Sequence, residues 1–248
     1  MADRPLAELV GVTKRFGGVT VIDDLSLAIA GDGAVGVIGP NGAGKTTMLN
    51  LLAGDLRPDR GELRLDGRDV TRLRADQRCR AGIGRTAQVP RPYAGMSVFE
   101  NVLVAAVFGA RRRMSERAAT PVAVDALHRA GLLDQVNRAA ATLTLLDRKR
   151  LELARALAGG PRLLLLDEIA GGLTDAETHE LVTTIQGLRG EGMAVVWIEH
   201  IVHALLAVVD RLVVLSFGRI VADGVPHEVV ASTAVRQVYL GDTAVVGP

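Results

Sequence analysis

Apolar and polar residues alternate along residues 6–30, LAELVGVTKRFGGVTVIDDLSLAIA, on both sides of Phe16-Gly17-Gly18. This period-two pattern predicts an antiparallel hairpin. GAVGVIG (33–39) then reads as a short buried strand, and KTTMLNLLAG (45–54) as a helix closed by Gly54. GELRLDGRDV (61–70) predicts a second hairpin turning at Asp66-Gly67. From about Ser97 to Leu133 the pattern becomes helical, in SVFENVLVAAVFG and PVAVDALHRAGLL, and a lobe of helices is expected there, reached through the loop QVPRPYAGM. Strands and helices alternate again through RLLLLDE, AETHELVTTIQGLRGEG, MAVVWIEH and IVHALLAVVD, before a closing hairpin RLVVLSFGRIVADG and a short helical tail. Strand-helix alternation of this kind predicts an α/β fold with a mainly parallel core sheet, and such sheets bind ligands where their strands end.

Composition narrows the classes of function. The 29 basic and 28 acidic residues leave a formal net charge of +1, so no global field recruits nucleic acid or anionic lipid, and no nucleic-acid partner is expected. The lone Cys79 excludes an internal disulfide framework and fits a reducing compartment. No run approaches the roughly 20 apolar residues of a membrane helix, and the start MADRPLAELVG has no signal-peptide core, so the chain is expected to be soluble by itself. The 48% hydrophobic content with little aromatic residue suits aliphatic strands buried on both faces, and a surface covered by a partner.

The chemistry-bearing residues lie at strand ends. Gly39, Pro40, Asn41, Gly42, Ala43, Gly44, Lys45 and Thr46 spell G-x-x-x-x-G-K-[ST] between a strand and a helix, with Thr47 following. Such a loop wraps phosphate in backbone N–H groups at a helix N-terminus. Lys45 would reach the β- and γ-phosphates and the Thr46 hydroxyl would ligate Mg²⁺. Four leucines deliver Asp167 and Glu168 to the end of another strand, the first expected to hold Mg²⁺ through water, the second to orient or deprotonate the attacking water. His200, read as ending the strand AVVWIEH, is expected at the γ-phosphate or the attacking water, or else to be structural. Phe16 suits either stacking on a base or core packing. His128, His179, His203 and His227 read as solvated or packing residues, and Arg111–Arg113 as hydrated surface.

Taken in order, Phe16, the loop Gly39–Thr46, Gln88, the region Leu143–Asp147, Asp167-Glu168, GGLT and His200 make the chain resemble the nucleotide-binding subunit of an ABC transporter over nearly its whole length. Within that superfamily GVTKRFGGVTVIDDLSL, GIGRTAQVPRPYAGMSVFENVLVAA, RLELARAL, WIEH and VYLGD are most similar to ATPase subunits of branched-chain or hydrophobic amino-acid importers. The resemblance implies a P-loop ATPase fold over residues 1–248, with a nucleotide-binding core and antiparallel β subdomain at 6–96 and 134–230, a helical lobe at 97–133 and a tail at 231–248. It implies ATP and Mg²⁺, with Thr46, Gln88 and Asp167 on the metal side and Glu168, His200 and Lys45 in catalysis. It also implies a second ATPase subunit, in a heterodimer or a homodimer, permease subunits that the loop Val89–Met96 and the following lobe would dock against, and indirectly a solute-binding protein. The chain would then sit peripherally on the cytoplasmic face of the inner membrane. The alternatives are the ATPase of a lipid or lipopolysaccharide exporter, a soluble non-transport ABC ATPase, and a P-loop kinase or GTPase, which leaves Gln88, Leu143–Asp147 and His200 unexplained.

Departures from the family pattern matter too. The common L-S-G-G-Q stands here as Leu143, Thr144, Leu145, Leu146, Asp147, which the resemblance directs at the partner's nucleotide. Thr144 keeps the hydroxyl, and backbone N–H groups survive the leucines provided no glycine conformation is needed there. Thr144 also reads as a helix N-cap with Asp147 three residues on, in the manner of a capping box. Arg148, Lys149 and Arg150 would offset Asp147 only by pointing the same way. Ile169 replaces the usual proline, and GGLT lacks the usual aspartate. These changes leave two readings: in a heterodimer whose partner has an ordinary signature, an asymmetric pair in which the site on this chain's phosphate loop turns over ATP and the opposite site binds more than it hydrolyses, or a pair that tolerates the leucines and works at both sites.

Overall fold

The alternating segment at the start forms strands β1 (Ala7–Phe16) and β2 (Val19–Ile29), which pair antiparallel about a turn at Gly17-Gly18. Their inward residues Leu9, Val12, Ile22 and Leu25 are buried. The structure, a computed structural model, describes residues 4–109, 113–233 and 235, so Arg111, Arg112 and VYLGD lie outside the described residues. β3 (Ala34–Ile38) leads through the glycine-rich loop into α1 (Lys45–Ala53), closed by left-handed Gly54 as its sequence predicts. β4 (Arg60–Leu65) and β5 (Arg68–Asp69) follow, joined by Asp66 and Gly67 with φ of 56° and 65°. Two consecutive positive φ values define the tight turn that matches the twist of paired strands.

Next come α2 (Ala75–Ala81), β6 (Ile83–Arg85), α3 (Val98–Gly109), α4 (Glu116–Arg129), α5 (Leu145–Ala158) and β7 (Leu163–Asp167). The chain continues with α6 (Asp175–Gly190), β8 (Ala194–Ile198), α7 (Val202–Leu206), β9 (Arg211–Ser216), β10 (Arg219–Gly224) and α8 (Pro226–Ala231). One sheet has the order β2-β1-β4-β5, the other β10-β9-β3-β8-β7-β6. In the larger sheet β9, β3, β8, β7 and β6 run parallel and only β10 is antiparallel.

β3, β7 and β8 are buried along their whole length, and their alternate residues feed two cores. Leu164, Leu166, Val195 and Trp197 face α3, α4, α5 and α6, while Leu163, Leu165, Val196 and Ile198 face α1 and the antiparallel sheet. The parallel strands therefore stop together at one edge, where the loops after β3, β7 and β8 meet.

α2 and β6 carry no apolar periodicity. α2 buries Arg78, whose guanidinium donates to the carbonyls of Leu51, Leu52 (3.1 Å), Thr71 (3.1 Å) and Leu73 (3.2 Å). Burial pushes its pKa down to about 10. It thus satisfies the carbonyls at the end of α1, a need every helix has and here met by an arginine from another element. Arg78→Met is expected to cost about 3 kcal/mol or more, since it leaves several buried acceptors without donors. The check is a fall in the denaturant midpoint at unchanged slope.

Candidate active site

The phosphate loop owes its shape to two glycines. At Gly39, with φ of 153°, a Cβ would strike the Leu215 carbonyl oxygen, and at Gly44, with φ of 102°, it would come within 2.8 Å of the Val21 carbonyl. Any side chain there would push the loop off β9 or β2. Asn41, Gly42, Ala43, Gly44, Lys45, Thr46 and Thr47 line a cavity of about 190 Å³ together with Val21 and Glu168. Lys45 is buried, and its Nζ donates to the carbonyls of Gly39 (2.7 Å) and Pro40 (3.1 Å) across the loop. Burial lowers its pKa, and the carboxylates of Glu168 and Asp167 pull it back up.

The end of β7 supplies the facing wall. Glu168 takes a left-handed φ of 48°, a conformation that a non-glycine residue holds only under constraint from its neighbours. Its N–H donates to the Ile198 carbonyl at 2.9 Å, and its carboxylate is gripped on both oxygens. His200 Nε2 lies 2.8 Å from Oε1 and Gln88 Nε2 donates to Oε2 at 2.5 Å. Three residues singled out from separate stretches of sequence therefore meet at one carboxylate beside the phosphate loop. His200 lies two residues beyond the end of β8 rather than within it. Glu199 lies beneath: buried, it accepts from the backbone N–H of Ala170 (2.6 Å) and of His200 (3.0 Å). Burial raises its pKa, and these backbone donors oppose the rise.

Asp167 is buried, with Oδ2 accepting from Arg85 Nη2 at 3.1 Å and Oδ1 without any partner among the described residues. Burial pushes its pKa up, opposed by the Arg85 guanidinium. Thr46, Gln88 and Asp167 line one cavity of about 480 Å³. A carboxylate with one oxygen unpartnered, a hydroxyl and an amide, all on residues that line one cavity, are groups whose oxygens Mg²⁺ takes as ligands. The donor set thus fits the ion.

A family model of the ABC transporter matches residues 22–171. The chain belongs to the ABC transporter family. The branched-chain amino acid transport ATP-binding protein BraF of Pseudomonas aeruginosa is 37% identical, with 96% of this chain and 99% of that protein covered. The lipopolysaccharide export ATP-binding protein LptB of Acidithiobacillus ferridurans is 35% identical, covering 96% and 97%. Among solved structures, the ADP conformation of the cassette MJ1267 superposes with a TM-score of 0.88 at 26% identity, covering 96% of this chain and 99% of that one. A dimeric post-hydrolysis state of the cassette MJ0796 with ADP and Pi superposes with a TM-score of 0.79 at 25% identity, covering 89% and 98%. The chain is thus an ATPase subunit of an ABC transporter.

Other parts of this ABC ATPase lie away from its own cavities. Phe16, at the tip of β1, is 48% exposed with Lys14 Nζ 5.5 Å from its ring, so it is no core residue. Leu143, Thr144, Leu145, Leu146 and Asp147 line neither cavity. Thr144 caps α5 by accepting from Asp147 N–H at 3.2 Å, but the reciprocal carboxylate bond of a capping box does not form. No residue from Leu143 to Asp147 has positive φ, so no glycine conformation is required there. Of the three leucines in this stretch, Leu143 and Leu146 are buried and Leu145 is exposed. The three basic residues diverge: Arg148 bonds back to the carbonyls of Leu143 and Ala141, Lys149 reaches the Glu168 carbonyl at 3.4 Å, and Arg150 pairs with Glu180. Thr174, where the family has aspartate, caps α6 in a reciprocal pair with Glu177.

Sequence reasoning passed over Arg85 and Glu199. Arg85 ends β6, paired in register with Leu165 two residues before Asp167, a signal open only to a reader who finds that strand.

Proposed function

We propose that this ATPase powers import of branched-chain or other hydrophobic amino acids. The observation that carries the reading is the similarity to BraF across nearly the full length of both proteins. In this reading Phe16 stacks on the adenine, the backbone N–H groups of Gly39–Thr47 and the Lys45 ammonium take the phosphates, and Glu168 orients the attacking water and accepts its proton. His200 and Gln88 hold the Glu168 carboxylate in place, which is the arrangement that a general base needs. Thr46, Gln88 and Asp167 would hold Mg²⁺, which when bound supplies positive charge at the phosphate oxygens. The nucleotide is completed by the N-terminal turn of the partner's α5, as helix dipoles favour anions there.

Docking to permeases fits the loop after Gln88. Val89, Tyr93 and Met96 are exposed, yet the loop is fixed. Buried Asn101 bonds both backbone groups of Tyr93, Glu152 accepts from Arg91 N–H at 2.9 Å, and Arg155 donates to the Arg91 carbonyl at 3.0 Å. An ordered apolar surface beside the Glu168 contact suits a permease segment that must signal to the nucleotide site. No helix among the described residues is long and apolar enough to cross a membrane, so permease subunits would hold this chain at the cytoplasmic face.

The test is reconstitution with the polytopic proteins that co-purify with it. Expected is ATP-dependent accumulation of labelled leucine in vesicles supplied with the cognate binding protein. Lipopolysaccharide release without leucine uptake would assign the chain to export instead.

A further inference from the structure

Arg85 joins three elements through one guanidinium. Nη2 donates to Asp167 Oδ2 at 3.1 Å, while Nη1 donates to Asn50 Oδ1 at 2.6 Å and Asp55 Oδ2 at 2.5 Å. Asn50 lies in α1, and its carbonyl accepts from the N–H groups of Gly54, Asp55 and Leu56 at 3.0 to 3.1 Å. The tether thus runs from the end of the phosphate-binding helix, through Arg85, to the end of β7.

We infer that Arg85, with Asp55 as its counter-charge, is a positioning residue that holds the Asp167 carboxylate in a fixed orientation at the metal-side cavity. The inference rests on the reading of Asp167 as the metal-side carboxylate. A carboxylate without a donor is free to turn about its terminal torsion, which is broad for aspartate. One bond to Oδ2 fixes that torsion and leaves Oδ1 without a hydrogen-bond partner among the described residues. A guanidinium beside a cation site would by itself repel the cation. Asp55 removes that objection: Arg85, Asp55 and Asp167 together carry one net negative charge, the same as an unaccompanied aspartate. Orientation is gained with no loss of attraction for the ion. Gln88, three residues further on, bonds Glu168, so the stretch from Arg85 to Gln88 sets both carboxylates from one loop.

The experiment measures binding of a fluorescent ATP analogue to the purified full chain, in EDTA and across a Mg²⁺ titration, with Asp167→Asn as reference. Arg85→Gln and Asp55→Asn are each expected to weaken the Mg²⁺ dependence by about tenfold or more, the usual scale for outer-shell partners of a metal ligand. Binding in EDTA should stay unchanged. Arg85→Lys keeps the charge without the planar fork and should fall between. A Mg²⁺ dependence equal to wild type in Arg85→Gln and Asp55→Asn overturns the inference. So does an equal loss with and without Mg²⁺, which is what a plain structural tie predicts. If Arg85→Gln does not fold, Asp55→Asn alone decides, since its half-exposed side chain lies at the surface. A wild-type Mg²⁺ dependence that Asp167→Asn leaves intact would instead remove the metal-side reading of Asp167 itself.

Discussion

Lys45→Ala abolishes productive ATP binding and, with it, transport. The side chain is folded into its own loop, with two of its three N–H groups on the Gly39 and Pro40 carbonyls and the third left for the phosphates. Hydrogen bonds to charged groups are worth roughly 1.5–3 kcal/mol each, and phosphate contacts of this lysine are of that type. Loss of the one bond from that third N–H weakens ATP by roughly 10- to 100-fold. The variant also frees the Gly39 and Pro40 carbonyls, but the Lys45 side chain itself lines the cavity, so water can enter the space it vacates and bond them. Binding therefore falls much further than stability. Fluorescent-nucleotide titration and thermal unfolding, read together, separate the two effects. Transport unchanged in Lys45→Ala would refute the role given to this residue.

The site was legible in the sequence wherever local chemistry and position agree. The phosphate loop needs its glycines for contacts made within a few residues, and the polar residues that follow the four leucines of β7 can only emerge at the sheet's edge. Gln88 was selected by resemblance and His200 by its place at a strand end; that they converge on opposite oxygens of Glu168 is a tertiary fact that no spacing contains. Arg78 and Arg85 show why other parts stayed hidden. Both are charged residues serving buried acceptors, so the elements that carry them, α2 and β6, lack the apolar period by which helices and strands are found. Glu199 is similar: read as the residue before His200, it lies beneath the site and ties the loop after Glu168 to the His200 backbone. In α5 the buried face includes Asp147, Lys149 and Glu152, and this blurs which leucine of the pair at its start points inward. Packing resolves the question, with Leu146 in the core and Leu145 outside.

In a complex with a second ATPase subunit of ordinary signature, Glu168→Gln lowers turnover by about 10²–10⁴-fold, the scale of a lost general base, while the matching partner substitution costs far less. The reason is what this chain presents at the start of α5. Leu145 N–H and Leu146 N–H have no partners among the described residues, so the dipole and donors for a phosphate are intact. Asp147 does not add charge to that face, because its carboxylate is buried and 3.9 Å from Arg150. Arg148 and Lys149 bring none of opposite sign either, being bonded to backbone carbonyls within this chain. The remaining departure is Leu145: exposed, packed over Gly172, it sets a branched side chain where the family has glycine. Bulk at that point is expected to keep a partner's γ-phosphate from approaching the helix start and to slow the opposite site by geometry rather than by charge. Leu145→Gly, in the Glu168→Gln background, is therefore expected to raise the residual turnover. Single-turnover measurements on the reconstituted pair read both quantities, and equal loss from the two glutamate substitutions would remove the asymmetry.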